Sequence, residues 1–197
     1  MKNLFLCLGV LCLMVSCQQS LNISQDPSTN AEIESKINQL YNSYDNTGEN
    51  KDIYSHPIPP DLFSSELSQL LNKAIKITEA DKKRIANSSS PKDKPALIET
   101  PVFSSLPEGF TTYKIKCIDI MKSIEPIVSV ADVTLEFQNS NFPTEVAVYT
   151  DKVRLVNSLG KGWKVDNVTY DPSIGKHYKD AKTFLNDFIL INAEGEK

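Results

Sequence analysis

Few residues in this chain are of a type and spacing to do chemistry. Two histidines, His56 and His177, lie far apart, one in a proline-rich stretch and the other after a glycine turn, and read as surface residues. A zinc site needs three or four ligands held together, so no metal or cofactor is expected. No G-x-S-x-G elbow, phosphate loop or dinucleotide fingerprint occurs, which leaves the common nucleophile and nucleotide sites without support. Of four cysteines, Cys7 and Cys12 fall in an apolar N-terminal run, Cys17 ends it, and Cys117 stands alone in a later apolar stretch. If Cys7 and Cys12 leave with that run and Cys17 is modified, Cys117 alone remains and no intramolecular disulfide can form; Cys117 reads as a small buried hydrophobe. Tyr113, Asp119, Phe137, Tyr149 and Trp163 fall on expected strands. Tyr113, Phe137, Tyr149 and Trp163 are the candidate pocket-lining residues, and Asp119 reads as a strand-end acid in water. None is assigned a catalytic role.

The balance of 21 basic and 25 acidic residues gives a net charge of −4 with the signs interspersed. Nucleic-acid binding would call for a basic stripe, and none is present. The cluster Lys82-Lys83-Arg84 reads as a helix end, where cations complement the dipole. Asp151, Lys152 and Arg154 read as a solvated strand face.

The N-terminal segment has a secretory layout: Lys2, an apolar run from Leu4 to Val15, a small residue at Ser16, then Cys17. The run falls short of the roughly 18–20 residues that cross a bilayer. "LMVSC" (13–17) resembles the signal of bacterial lipoproteins, with Met14 where leucine is usual. The resemblance implies that residues 1–16 are removed and that Cys17 becomes the lipidated first residue, the membrane partner being reached through its acyl chains. Several chains anchor firmly where one does not. Gln18 after the cysteine is similar to an outer-membrane address, which implies a cell-envelope location facing the periplasm.

Residues 17–30 then read as the lipidated cysteine and a flexible tether, 31–192 as one α+β domain, and 193–197 as a frayed tail. From Ala31, the spacing of Ile33, Ile37, Leu40, Tyr41 and Tyr44 predicts a helix capped by Asn30 and stopped at Gly48. The prolines of "SHPIPPDL" (55–62) exclude helix there. Asp61 is the expected cap of a second helix striped by Leu62, Phe63, Leu67, Leu70, Leu71, Ala74 and Ile75, and Thr78 the cap of a shorter piece over 79–86. The polar segment 88–103 reads as a connection, or as a loop over a pocket mouth that meets a ligand or partner. Strands are expected at 112–121, 127–138, 146–156 and 163–170, with the glycines of "NSLGKG" (157–162) making a hairpin. A last helix carries Ala181, Phe184, Leu185, Phe188 and Ile189.

Helices followed by a four-stranded antiparallel meander make an α+β pattern. "FSSELSQLLNKA" (63–74), "TPVFSSLPEGF" (100–110) and "GWKVDNVTYD" (162–171) resemble uncharacterised bacterial lipoproteins of the nuclear transport factor 2 superfamily. That likeness implies a cystatin-like cone, its helices lying across a curved sheet, with an added C-terminal helix. Function does not follow from such a fold. The expected role is non-enzymatic binding of a small apolar ligand or an envelope protein partner. The alternative is an isomerase- or hydrolase-type enzyme using a carboxylate and a tyrosine inside the cone.

Overall fold

The computed structural model describes residues 27–44, 52–89, 93–122, 128–141 and 146–193. The leader, Cys17, Gly48, Ile127 and residues 194–197 lie outside these. The element order is α1 (Pro27–Ser43), α2 (Ser65–Ala86), β1 (Thr112–Lys122), β2 (Val128–Asn139), β3 (Ala147–Ser158), β4 (Lys164–Thr169), a 3-10 turn (Pro172–Ile174) and α3 (Ala181–Ala193). Among the described residues the chain is α+β, with three α-helices and an open antiparallel sheet in the order β1-β2-β3-β4.

Helix α1 starts at Pro27, so Asn30 lies inside it and not at its cap, and residues 27–30 are helix, not tether. Proline suits a first turn because its missing N–H has no helical acceptor there. Helix α2 also departs from expectation. Its cap is Ser64, whose hydroxyl accepts from the Leu67 amide at 3.2 Å, and not Asp61. The preceding residues are committed elsewhere: the Val165 amide donates to the Leu62 carbonyl and the Ser64 amide to the Val165 carbonyl, both at 2.8 Å, forming a parallel bridge to β4. The helix then runs unbroken through Thr78, whose hydroxyl donates to Tyr54 Oη at 3.1 Å. Lys83 and Arg84 occupy its last turn, as the charge cluster predicts.

Strict alternation holds along β2, where Ala131, Val133, Leu135 and Phe137 are buried. The other strands keep their inner faces with the help of bulges. In β1 the register shifts between Ile115 and Cys117, so Ile115, Ile118 and Ile120 pack on the core. Cys117 pairs with Thr134, is half-buried, and points its thiol toward the exposed Asp119 carboxylate 3.5 Å away. The expectation of a buried cysteine fails because the bulge shifts the alternation at that position. In β4 the extra residue lets both Val165 and Val168 face inward. The β3–β4 hairpin places Gly160 at φ 67° and Gly162 at φ 89°, and Leu159 also has positive φ, at 56°.

Aromatic rings fill the space between sheet and helices. Phe137 stacks on Tyr149 with centroids 5.1 Å apart and meets Tyr41 edge-on at 5.2 Å. Phe63 stacks on Phe103 at 5.3 Å, and Tyr44 meets Phe103 at the same distance. Helix α3 packs against α2 and β4. Its Lys182 ammonium bridges Glu66 at 2.6 Å and Asp166 at 2.9 Å, while Leu190 and Ile191 at its far end are exposed.

Candidate functional site

Between α2 and β1 the chain crosses the interior as an irregular strap, residues 101–106, in which Val102, Phe103, Ser104, Ser105 and Leu106 are all buried. Outside regular structure, its backbone needs partners, and side chains from four places supply them. The Lys176 ammonium donates to the carbonyls of Pro101 and Ser104, each at 2.7 Å. Tyr170 Oη donates to the Val102 carbonyl at 2.5 Å and Tyr41 Oη to the Phe103 carbonyl at 3.2 Å. The Ser105 amide donates to Asp151 Oδ2 at 2.9 Å, and the Ser105 hydroxyl makes a short bond to Asp151 Oδ1. The Asp171 amide donates to both Asp151 Oδ1 (2.9 Å) and Ser105 Oγ (2.6 Å). Segment 88–103 is thus fixed at its C-terminal end as part of the core.

Asp151 does not lie on a solvated face. It is fully buried, and the solvent side of β3 carries Lys152 and Arg154, with Arg154 paired to Asp132 by two bonds of 2.8 and 2.9 Å. The signal was parity: Asp151 falls in step with Tyr149, Val153 and Leu155. Burial pushes its carboxyl above the usual carboxylate range, and the donors from Ser105 and Asp171, with the Lys176 charge, pull the other way.

Of the four residues predicted to line a pocket, Tyr113, Phe137 and Tyr149 pack ring against ring, and Trp163 is buried at the far end of β3, beside the start of β4. Phe137, Tyr149 and Trp163 are buried, and Tyr113 is half-buried with its hydroxyl donating to Asn38 Oδ1 at 2.6 Å. Tyr149 Oη and Ser104 Oγ are 2.6 Å apart. The Trp163 amide donates to Glu32 Oε1 at 3.0 Å. Asp151 and Tyr149 are an acid and a tyrosine that the fold brings to the strap, where Asp151 holds the amides of Ser105 and Asp171 and Tyr149 meets the Ser104 hydroxyl.

An open groove of about 800 Å³ lies elsewhere, between residues 53–60 and α2. None of the four predicted residues borders it. Its floor is Ile53, Ile58, Phe63 and Ile75, and polar groups of Ser65, Ser68 and Asn72 follow the α2 wall. Lys164 and Glu79 also border it. The opposite wall starts with Asp52, whose carboxylate accepts from the Tyr54 amide (2.9 Å) and the Ser55 hydroxyl (2.7 Å), an Asx turn. Tyr54 then ties this wall to the body, its hydroxyl accepting from Thr78 Oγ1 at 3.1 Å and the Ile98 amide at 3.0 Å. Burial raises the Tyr54 pKa ahead of these bonds. Prolines 57, 59 and 60 keep the wall extended. The sequence excludes helix from the proline stretch but does not show the groove; the cue was a hydrophobe, Ile58, between prolines that deny it a helix of its own.

His56 also borders the groove, while His177 lies against Tyr178 with ring centroids 4.9 Å apart. Among the described residues no three His, Cys, Asp or Glu side chains are grouped to hold a metal ion, and no helix is long and apolar enough to cross a membrane. The fold and groove define an α+β domain with a mixed polar and apolar surface cleft. No protein-family model, curated protein or solved structure matches the chain.

Proposed function

We propose that this chain is a lipid-anchored protein of the bacterial cell envelope, tethered through Cys17 at the outer membrane facing the periplasm, whose domain binds a ligand or partner without chemistry of its own. We read the domain as a nuclear transport factor 2-like cone whose interior is occupied by its own side chains. The observation that carries the binding reading is the division of space: aromatic rings and the 101–106 strap occupy the interior, and the groove of about 800 Å³ opens at the surface. Pockets of this size, with an apolar floor and a few polar groups, are the ordinary form of a binding site.

Native mass spectrometry of the full chain isolated from its host tests the reading. A bound species is expected, and Ile75→Glu, which sets a charge on the groove floor, is expected to remove it. A bare polypeptide mass under gentle conditions, or a bound species indifferent to Ile75→Glu, would refute the groove as the seat.

A further inference from the structure

The groove has a length and a polarity. Along α2 it extends from Ser65 to Glu79, about 21 Å at 1.5 Å per residue. An extended peptide rises about 3.3 Å per residue, so about six residues match that length. Lys164 stands toward the end where Phe63 bridges β4, and Glu79 at the other. Among the described residues the acid paired with Lys164 is Asp61, 4.0 Å away with its side chain 86% exposed, a pairing at the limit of contact that leaves the ammonium available.

The walls of the groove also present polar groups. Residues 57–59 run without helix or turn, and Ile58 supplies the one backbone N–H between prolines. Among the described residues the amides of His56 and Ile58 donate no hydrogen bond. Opposite them lie the hydroxyls of Ser65 and Ser68. An apolar small molecule would cover these polar groups and leave them unsatisfied, whereas a peptide backbone brings a donor and an acceptor at every residue. Main-chain pairing on one side with side-chain pockets beneath is a recurring mode of peptide capture.

We propose that the groove between residues 53–60 and α2 binds an extended segment of a partner protein, about six residues long, with an acidic residue at the Lys164 end, an apolar centre over Ile58 and Ile75, and a basic residue at the Glu79 end. This rests on the groove being the binding seat, as argued above. The acid meets the Lys164 ammonium, the base meets the Glu79 carboxylate, and the backbone pairs with the wall at Ile58. Reversed charge order sets like against like at both ends, which fixes direction as well as affinity.

The test is selection of displayed random hexapeptides on the full chain, on the Lys164→Glu/Glu79→Lys double variant and on Ile75→Glu. Wild type is expected to enrich peptides with an acid at one end, a base at the other and hydrophobes between; the double variant is expected to enrich the opposite order. A winning peptide, remade with a fluorophore, should bind Lys164→Gln and Lys164→Glu at least tenfold more weakly by anisotropy at low salt. Both positions border solvent, and a melting curve for each variant confirms that it is folded. Enrichment of nothing above background, or of peptides that bind all variants alike, overturns the proposal. If no peptide is enriched while native mass spectrometry finds a small molecule that Ile75→Glu displaces, the peptide inference falls and the groove reading stands. If both experiments fail, the groove is not the seat.

Discussion

The amide of Ser105 donates to the carboxylate of Asp151 at 2.9 Å in a fully buried site, joining the strap to the third strand. Truncating that acid strands the amide and hydroxyl of Ser105 without their acceptor and leaves the Asp171 amide only Ser105 Oγ. Asp151→Ala is therefore expected to lower unfolding free energy by about 3 kcal/mol in chemical denaturation, the penalty for buried donors left unpaired. A loss within the range of an ordinary surface substitution would show that the network does not hold the strap.

The same carboxyl gives a pH signature. Its native pKa is raised by burial, so the folded chain holds the proton more tightly than the unfolded chain does. Its contribution to stability is fully present below the unfolded value of about 3.9 and is lost as pH rises through the higher native value. Asp151→Asn cannot titrate. The stability of wild type minus that of Asp151→Asn should therefore fall as pH climbs out of the acid range. Burial also pushes Asp171 up, but bonds from Ser173 and Thr150 outweigh it and hold the carboxyl low; its opposite slope cancels in the difference. A difference that grows with pH would be incompatible with a raised carboxyl.

Tyr54→Phe removes the acceptor shared by Thr78 and the Ile98 amide. A loss of about 1–2 kcal/mol is expected, with faster hydrogen exchange at the Ile98 amide. Unchanged exchange there would mean that the proline-rich wall is held some other way.

Phe137→Ala and Trp163→Ala separate core from pocket. Both side chains are buried in the core, and each change is expected to destabilise by about 3–5 kcal/mol. Near-neutral stability with a loss of ligand would restore their reading as pocket walls.

The anchor has its own test. Cys17→Ala is expected to abolish labelling by a clickable fatty acid in the host and to leave the protein out of the membrane pellet once the apolar run is cleaved. Labelled or membrane-retained mature variant would contradict lipidation at that residue.

Much of the framework was legible because it rests on period. The alternation from Ala131 to Phe137, the stripe from Ile33 to Tyr41 and the glycines at 160 and 162 each read correctly on local evidence. What failed was decided by long-range partners. Asp61 was a sound local cap, yet the Leu62–Ser64 backbone is taken by Val165, which moves the helix start to Ser64. Thr78 looked like a cap until Tyr54 claimed its hydroxyl. The strap has no period at all: "VFSSL" reads as loop, and its burial depends on Lys176, Tyr170, Tyr41 and Asp151, which reach it from distant parts of the chain. The groove was hidden for the same reason, since two unrelated stretches form its walls.

The outer edge of β4 is met at one end by residues 62–64 and at the other by the Thr169–Asp180 bridge. A nascent polypeptide not yet extended through β4 has no Val165 to receive the segment that launches α2, so the tertiary fold can close only after that strand has been synthesised. Once closed, that flank is sealed at both ends against a stray strand from another molecule, a built-in guard against runaway sheet polymerisation.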